Sequence, residues 1–262
     1  MSIVRKYLVA TFSITYLFWG IIAIYTQVNQ SPFSSSVMMY VFYVVGVIGP
    51  AIGAITVKKT SESKADFRTF LRSCYKPPRA LTPYVYMIVI VLFFSFLPYF
   101  IVGGEQGLPI QYILLQIPAF IIIGGFEEIG WRGVLLPELL KRLSALQSTV
   151  LVSIIWVLWH LPLFFMIGTF QNENLNIPVF TINVFAFSFL LSTVFYKTNS
   201  VFLCILTHAF CNSVQTAFIS HQTLVSGAVG LAFSILIYAL IPANRNRPPM
   251  MNNVETYVGD RK

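Results

Sequence analysis

Charge is scarce in this sequence: only 10% of its 262 residues are Asp, Glu, Lys or Arg, while 56% are hydrophobic. A soluble domain carries roughly 25% charged residues, so a soluble globular chain is not what this composition describes. Cysteine is equally sparse. Cys74 lies in a basic stretch, and Cys204 and Cys211 are seven residues apart on one expected helix, roughly 10 Å by helical rise and too far to bridge undistorted. A disulfide framework has no support. Also missing are a Gly-x-Ser-x-Gly elbow and a His-Glu-x-x-His pair, so serine-hydrolase and zincin chemistry lack their sequence signals.

What the chain does have is apolar runs near the ~20 residues that cross a bilayer. Eight stand out, at about 7–25, 37–57, 84–103, 110–136, 147–168, 178–196, 200–220 and 223–242. They predict an all-α polytopic membrane protein, a single integral domain of about eight transmembrane helices. The first run follows Arg5 and Lys6 but is too long for a signal-peptide core and lacks a small-residue cleavage pattern, so it reads as retained.

A net charge of +8 would suit nucleic acid, but the basic residues are not scattered. Arg5 and Lys6 precede the first run, and Lys58, Lys59, Lys64, Arg68, Arg72, Lys76 and Arg79 follow the second. Lys141 and Arg142 follow the fourth, Lys197 the sixth, and Arg245, Arg247, Arg261 and Lys262 the eighth. The alternate loops hold no Lys or Arg, which is the positive-inside pattern for a multi-pass cell-membrane protein with both termini cytoplasmic. Topology therefore accounts for sixteen of the seventeen bases, all but Arg132, and no nucleic-acid partner is implied. Within the second loop, 61–75 reads either as a short amphipathic helix on the cytoplasmic interface or as a solvated helix packed on neighbouring loops. The tail over 243–262 reads as disordered.

Inside the runs, strong polar groups are few: Glu127, Glu128 and Arg132 in the fourth, His160 in the fifth, Asn183 in the sixth, His208 and Asn212 in the seventh. An ionisable group at membrane depth costs about 3 kcal/mol or more unless paired or hydrated. Glu128 and Arg132, at i and i+4, can neutralise each other. Glu127 finds no base at i+3 or i+4 and is expected to face His160 and His208 as the unpaired acid. His208 and Asn212, also i and i+4, share a helix face. Pro162 cannot donate to the carbonyl of Leu158, which predicts a kinked or hydrated backbone beside His160.

Counted from the basic ends, Glu127 is ten residues deep, His160 thirteen and His208 eight, roughly 12–20 Å by helical rise. Polar groups on three helices thus align in depth. A carboxylate, two imidazoles and a carboxamide in one dry site suit hydrolysis, with the glutamate as general base toward water and N–H donors for the oxyanion. The site is expected to open toward the cytoplasmic side. Asn183 reads as helix packing, His221 as incidental, and Gly124 with Gly125 as close helix approach rather than an opening to the acids.

The segments "EEIGWRG", "WVLWH" and "HAFCN" resemble the EExxxR, FxxxH and HxxxN motifs of the CAAX protease and bacteriocin-processing family of intramembrane endopeptidases. The likeness covers about 110–220, spans four to seven, and departs from the pattern at Trp156, where the family has Phe. It implies that Glu127 and His160 activate water, that His208 and Asn212 hold the oxyanion, and that Glu128 and Arg132 support the site. It also implies a protein or peptide substrate held at the membrane, lipidated in some members. The leading reading uses no cofactor. A metal-dependent alternative would take zinc on Glu127, His160 and His208. A non-catalytic scaffold or immunity protein is the second reading, and a proton-coupled transporter, for which no internal repeat is evident, the third.

Overall fold

The computed structural model describes residues 2–240; the tail over 243–262 lies outside them. Each of the eight apolar runs contains helix, but they are not equivalent. Helix α1 (Ile3–Asn29) starts on the Ser2 hydroxyl, which accepts the N–H of Arg5. Helices α2 (Val37–Val47) and α3 (Gly49–Ser61) form one span bent by 51°. The bend follows from Pro50, which has no N–H for the carbonyl of Gly46. The Thr15 hydroxyl donates to that carbonyl instead, at 2.8 Å, and the Trp19 indole donates to the neighbouring Tyr43 carbonyl at 3.1 Å. Gly53 lets α1 and α3 approach closely: a Cβ there would lie 2.5 Å from Thr11 Oγ1. Small residues at such crossings are how helices associate in lipid, where burial of apolar surface gives little drive.

Helix α4 (Lys64–Tyr75), capped by the Ser63 hydroxyl, buries Phe70 and Cys74 against α3 and α12. Then come α5 (Thr82–Val102), the three-residue strand β1 (Gly104–Gln106), and the fourth span, assembled from α6 (Tyr112–Phe120), a π-helical turn (Ile121–Gly125), α7 (Glu127–Gly130), a second π-helical turn (Trp131–Leu135) and α8 (Leu136–Leu140). Its halves meet at 42°. Helix α9 (Ala145–His160) begins on a capping box of Ser144 and Gln147 and runs into a 3₁₀ turn, Leu161–Phe165. The chain closes through α10 (Phe170–Asn174), α11 (Ile177–Thr198), α12 (Val201–Ala217), strand β2 (Phe218–Ser220) and α13 (Leu224–Ala239).

Four helices are long and apolar enough to cross a membrane alone, and the two bent pairs do so jointly, which makes up to six spans among the described residues. The last two expected spans are shorter helices of 17 and 16 residues. The seventh run stops being helical at Ala217 because Phe218–Ser220 pairs antiparallel with Gly104–Gln106. Outside the bundle, Ile24, Leu114 and Phe100 stand 68–77% exposed, as lipid-facing side chains do. Inside, α11 packs on α13 and α9, α1 on α2 and α3, and α12 on α6 and α5. The site lies where α7, α9 and α12 meet.

Candidate active site

The fourth span breaks at Ile123 and Gly124, where the backbone leaves helical geometry and Gly124 takes φ +121°. Only glycine adopts that region without strain. A Cβ at Gly124 would also stand 2.8 Å from Asn212 Nδ2 and 2.9 Å from His208 Nε2. The missing side chain is therefore what lets the backbone come this close to the two nitrogens. Gly125 packs closely on Ile205 of α12, so both glycines serve close approach, and Gly124 also lines the cavity.

Glu127 and Glu128 follow the break and face different partners. Glu128 is fully buried, with Arg132 Nη1 3.0 Å from its Oε2, the expected i,i+4 pair. Its Oε1 also accepts from His208 Nδ1 at 2.9 Å. Arg132 is held from across the bundle, donating through Nη2 to the Ser188 carbonyl at 2.9 Å and its hydroxyl at 3.0 Å, with the guanidinium 5.1 Å above the Trp156 ring. Glu127 is not unpaired: its Oε2 accepts from the indole N–H of Trp156 at 2.9 Å and of Trp131 at 3.2 Å. The hydrogen bond of His208 thus goes to Glu128 rather than to Glu127, and Glu127 lines the cavity. The donors on Glu127 come from Trp131, one turn on in the same motif, and from Trp156, the position that departs from the family pattern.

His160 ends α9, with Nδ1 2.8 Å from the Trp156 carbonyl. A carbonyl only accepts, so Nδ1 carries the hydrogen and Nε2 the lone pair. The ring is gripped edge-on by Trp159 and Phe180 at 4.5 and 5.2 Å. The Leu158 carbonyl left free by Pro162 is taken by the Tyr16 hydroxyl at 2.5 Å, so a neighbouring helix, not water, satisfies it. His208 is wedged edge-on against Phe187 at 4.9 Å. Asn183 ties α11 to the turn between β2 and α13 through Gln222 at 2.9 Å and also lines the cavity. His221 is exposed and is not among the residues lining the cavity.

Glu127, His160, His208 and Asn212 all line one cavity of about 650 Å³. From them its wall runs to Thr169, Gln171, Ser220 and Gln222, in the loops without Lys or Arg. The expectation that the site opens toward the basic end is therefore corrected. His160 explains the error: thirteen residues from the basic end is nearly the whole length of the 16-residue α9, so depth counted from that end placed the site close to the other. Among the described residues, no three His, Cys, Asp or Glu side chains stand together as a metal-ligand set.

Residues 109–214, which contain all three motifs, match the family model of the Rce1-like type II CAAX prenyl endopeptidases. The chain is also 26% identical, over an alignment of 236 residues, to CAAX prenyl protease 2 of Methanococcus maripaludis, covering 80% of this chain and 83% of that protein. The family resemblance carried by the motifs is thus found independently in the matched segment and along most of the length. With its helical fold of up to six candidate spans among the described residues, the chain is thus similar to the type II CAAX prenyl endopeptidases in the segment that carries all three motifs.

Proposed function

We propose that the chain is an intramembrane endopeptidase that cleaves a peptide bond of a membrane-held protein or peptide with a water activated by Glu127 and His160. The observation that carries this reading is that Glu127, His160, His208 and Asn212 line one cavity, where the backbone at Gly124 comes close to His208 Nε2 and Asn212 Nδ2. A substrate carbonyl fits there, its oxygen toward the two nitrogens and its carbon toward a water on Glu127.

Glu127 takes the water proton as the oxygen attacks the carbonyl carbon, and the lone pair on His160 Nε2 orients the water. His208, held on Glu128 through Nδ1, acts with Asn212 on the oxyanion. Collapse of the tetrahedral intermediate breaks the C–N bond, and the proton held by Glu127 passes to the leaving amine. The reaction uses only the chain's own side chains, so chelators should leave it intact and elemental analysis of active protein should find no stoichiometric zinc. The client carries its own membrane tether, a lipid or an apolar segment.

The test is cleavage of an acyl-tethered, internally quenched peptide library by purified protein. Glu127→Gln and His160→Ala should each lower the rate by about 10²–10⁴-fold, the usual worth of a general base. Full activity in both variants would remove the proposal and leave the non-catalytic scaffold.

A further inference from the structure

We infer that the peptide substrate binds in extended form as a third strand on β2, with one of its residues placing its N–H on the Phe218 carbonyl and its C=O on the Ser220 N–H. The inference rests on the protease reading above and adds how the peptide is held, through its backbone rather than its side chains.

The pairing of the ribbon shows which backbone groups are left over. In an antiparallel pair, residues directly opposite each other exchange hydrogen bonds at every second position. Gly104 lies opposite Ser220, Glu105 opposite Ile219 and Gln106 opposite Phe218. Just outside these pairs, the His221 N–H donates to the Gly103 carbonyl at 3.1 Å and the Gly107 N–H to the Ala217 carbonyl at 3.0 Å. Between those two bonded positions the next one is Glu105 with Ile219, so Phe218 and Ser220 hold the alternate places and turn their backbone groups away from β1. Two of these four groups are taken. The Phe218 N–H closes the last turn of α12 on the Val214 carbonyl, and the Ser220 carbonyl accepts from Gln222 Nε2 at 3.2 Å. The Phe218 carbonyl and the Ser220 N–H are engaged by no hydrogen bond among the described residues.

The edge that carries them meets the cavity: all three residues of β2 line it, and none of β1 does. The strand is anchored there by the Phe218 ring, held edge-on by Phe96 and Tyr99 of α5 at 4.8 and 5.7 Å. A carbonyl and an N–H flanking one residue on an open edge are what a neighbouring strand engages with a single residue of its own. The same edge is continuous with the oxyanion groups, because β2 directly follows the helix that carries His208 and Asn212. Phe218 is six residues beyond Asn212, roughly 9 Å by helical rise. An extended peptide covers that distance in about three residues, which places the paired residue about three positions from the cleaved bond.

Binding decides the inference separately from cleavage. The probe is a fluorescent acyl-tethered peptide, titrated against the full chain carrying Glu127→Gln, and a series of the same peptide N-methylated at one residue each. One position should lose affinity about 10-fold, the worth of a hydrogen bond whose buried partner is left unmade, because methylation removes the donor to Phe218. Ser220→Pro, added to the same chain, deletes the edge N–H and spares the bonds to β1, and proline is tolerated at such an edge. It should weaken the unmodified peptide by about 10-fold, while Ser220→Ala, which keeps the N–H, should bind as before. Equal affinity across the N-methyl series, no binding at all, or undiminished binding by Ser220→Pro overturns the inference. If Ser220→Pro does not accumulate, the N-methyl series decides alone. Failure of the unsubstituted chain to cut the peptide would sink the protease reading, and the binding series would still decide whether a strand is added.

Discussion

Two spans of this protein are broken at mid-length by comparable angles, 51° in the second and 42° in the fourth, and the breaks are used differently. In the second, Pro50 frees a carbonyl and α1 fills the gap with neutral donors, Thr15 and Trp19, close to glycine surfaces. In the fourth, the kink at Gly124 is left open to a cavity, and the helix that follows carries two buried acids and a buried base. One break is repaired by its neighbours; the other is kept as a place for a substrate. Irregular backbone at membrane depth is tolerated where it is buried in protein or lines a cavity, and the two spans show both cases.

The contrast is sharpest when each break is altered at its own key residues. After the loss of Glu127, the largest effect is expected from Glu128→Gln. It strands Arg132 in a fully buried position and removes the acceptor of His208, and breaking such a pair costs about 3–5 kcal/mol. Thermal unfolding in detergent should show a large drop and cells should accumulate little protein, whereas Glu127→Gln, whose Oε2 contacts are neutral indoles, should keep its melting temperature. Equal melting temperatures for the two variants would mean that the acids do not have the different roles assigned here. Gly124→Ala comes next: the positive φ and the collision with His208 and Asn212 should lower kcat by about 100-fold, the scale of a lost oxyanion donor. Gly53→Ala, its counterpart beside the repaired break, should lower the melting temperature while each folded molecule cuts at the parent rate.

Trp156→Phe probes the acid itself. The ring is kept against Arg132 and His208, but Glu127 loses one of its two N–H donors. Hydrogen bonds to a charged group are worth about 1.5–3 kcal/mol, so kcat should fall at least ~10-fold with little change in KM. Unchanged kcat would reduce Trp156 to a packing residue. Trp131→Phe, at the longer contact, should have the milder effect.

How much of this was legible in the sequence depended on distance along the chain. The Glu128–Arg132 pair, the shared face of His208 and Asn212 and the carbonyl freed by Pro162 are i,i+4 relations, and helical spacing reveals them. The eight runs and their alternation of basic loops were visible for the same local reason. Partners across the bundle were not: nothing in the order of residues says that His208 takes Glu128 and leaves Glu127 to two indoles, or that Ser188 receives Arg132. Trp131 offered a signal, since an indole N–H at i+4 can serve an acid where a base is missing. The β1–β2 ribbon joins three-residue segments more than a hundred positions apart, too short for any periodicity. The extent of the cavity depends on the segments after α9 and α12 that line it, which depth along single helices does not contain.

The smallest expected effect is also the cleanest test of the repaired break. Thr15 is fully buried; its hydroxyl donates to the Gly46 carbonyl and accepts the Trp159 indole N–H at 2.8 Å, joining α1, the second span and α9 through one oxygen. Thr15→Val keeps the shape and strands both partners, yet hydrogen bonds between helices in a membrane average only about 0.6 kcal/mol and reach about 1.7. The melting temperature should fall by a few degrees, and Thr15→Ser should restore it. Trp159 touches His160 edge-on at 4.5 Å, so a loosened indole is the one route by which the repaired break could reach the open one. If Thr15→Val lowers kcat as strongly as Trp156→Phe does, the two breaks act as one unit. If it lowers only the melting temperature, the second span is scaffolding, and the chemistry is confined to the fourth and the helices that face it.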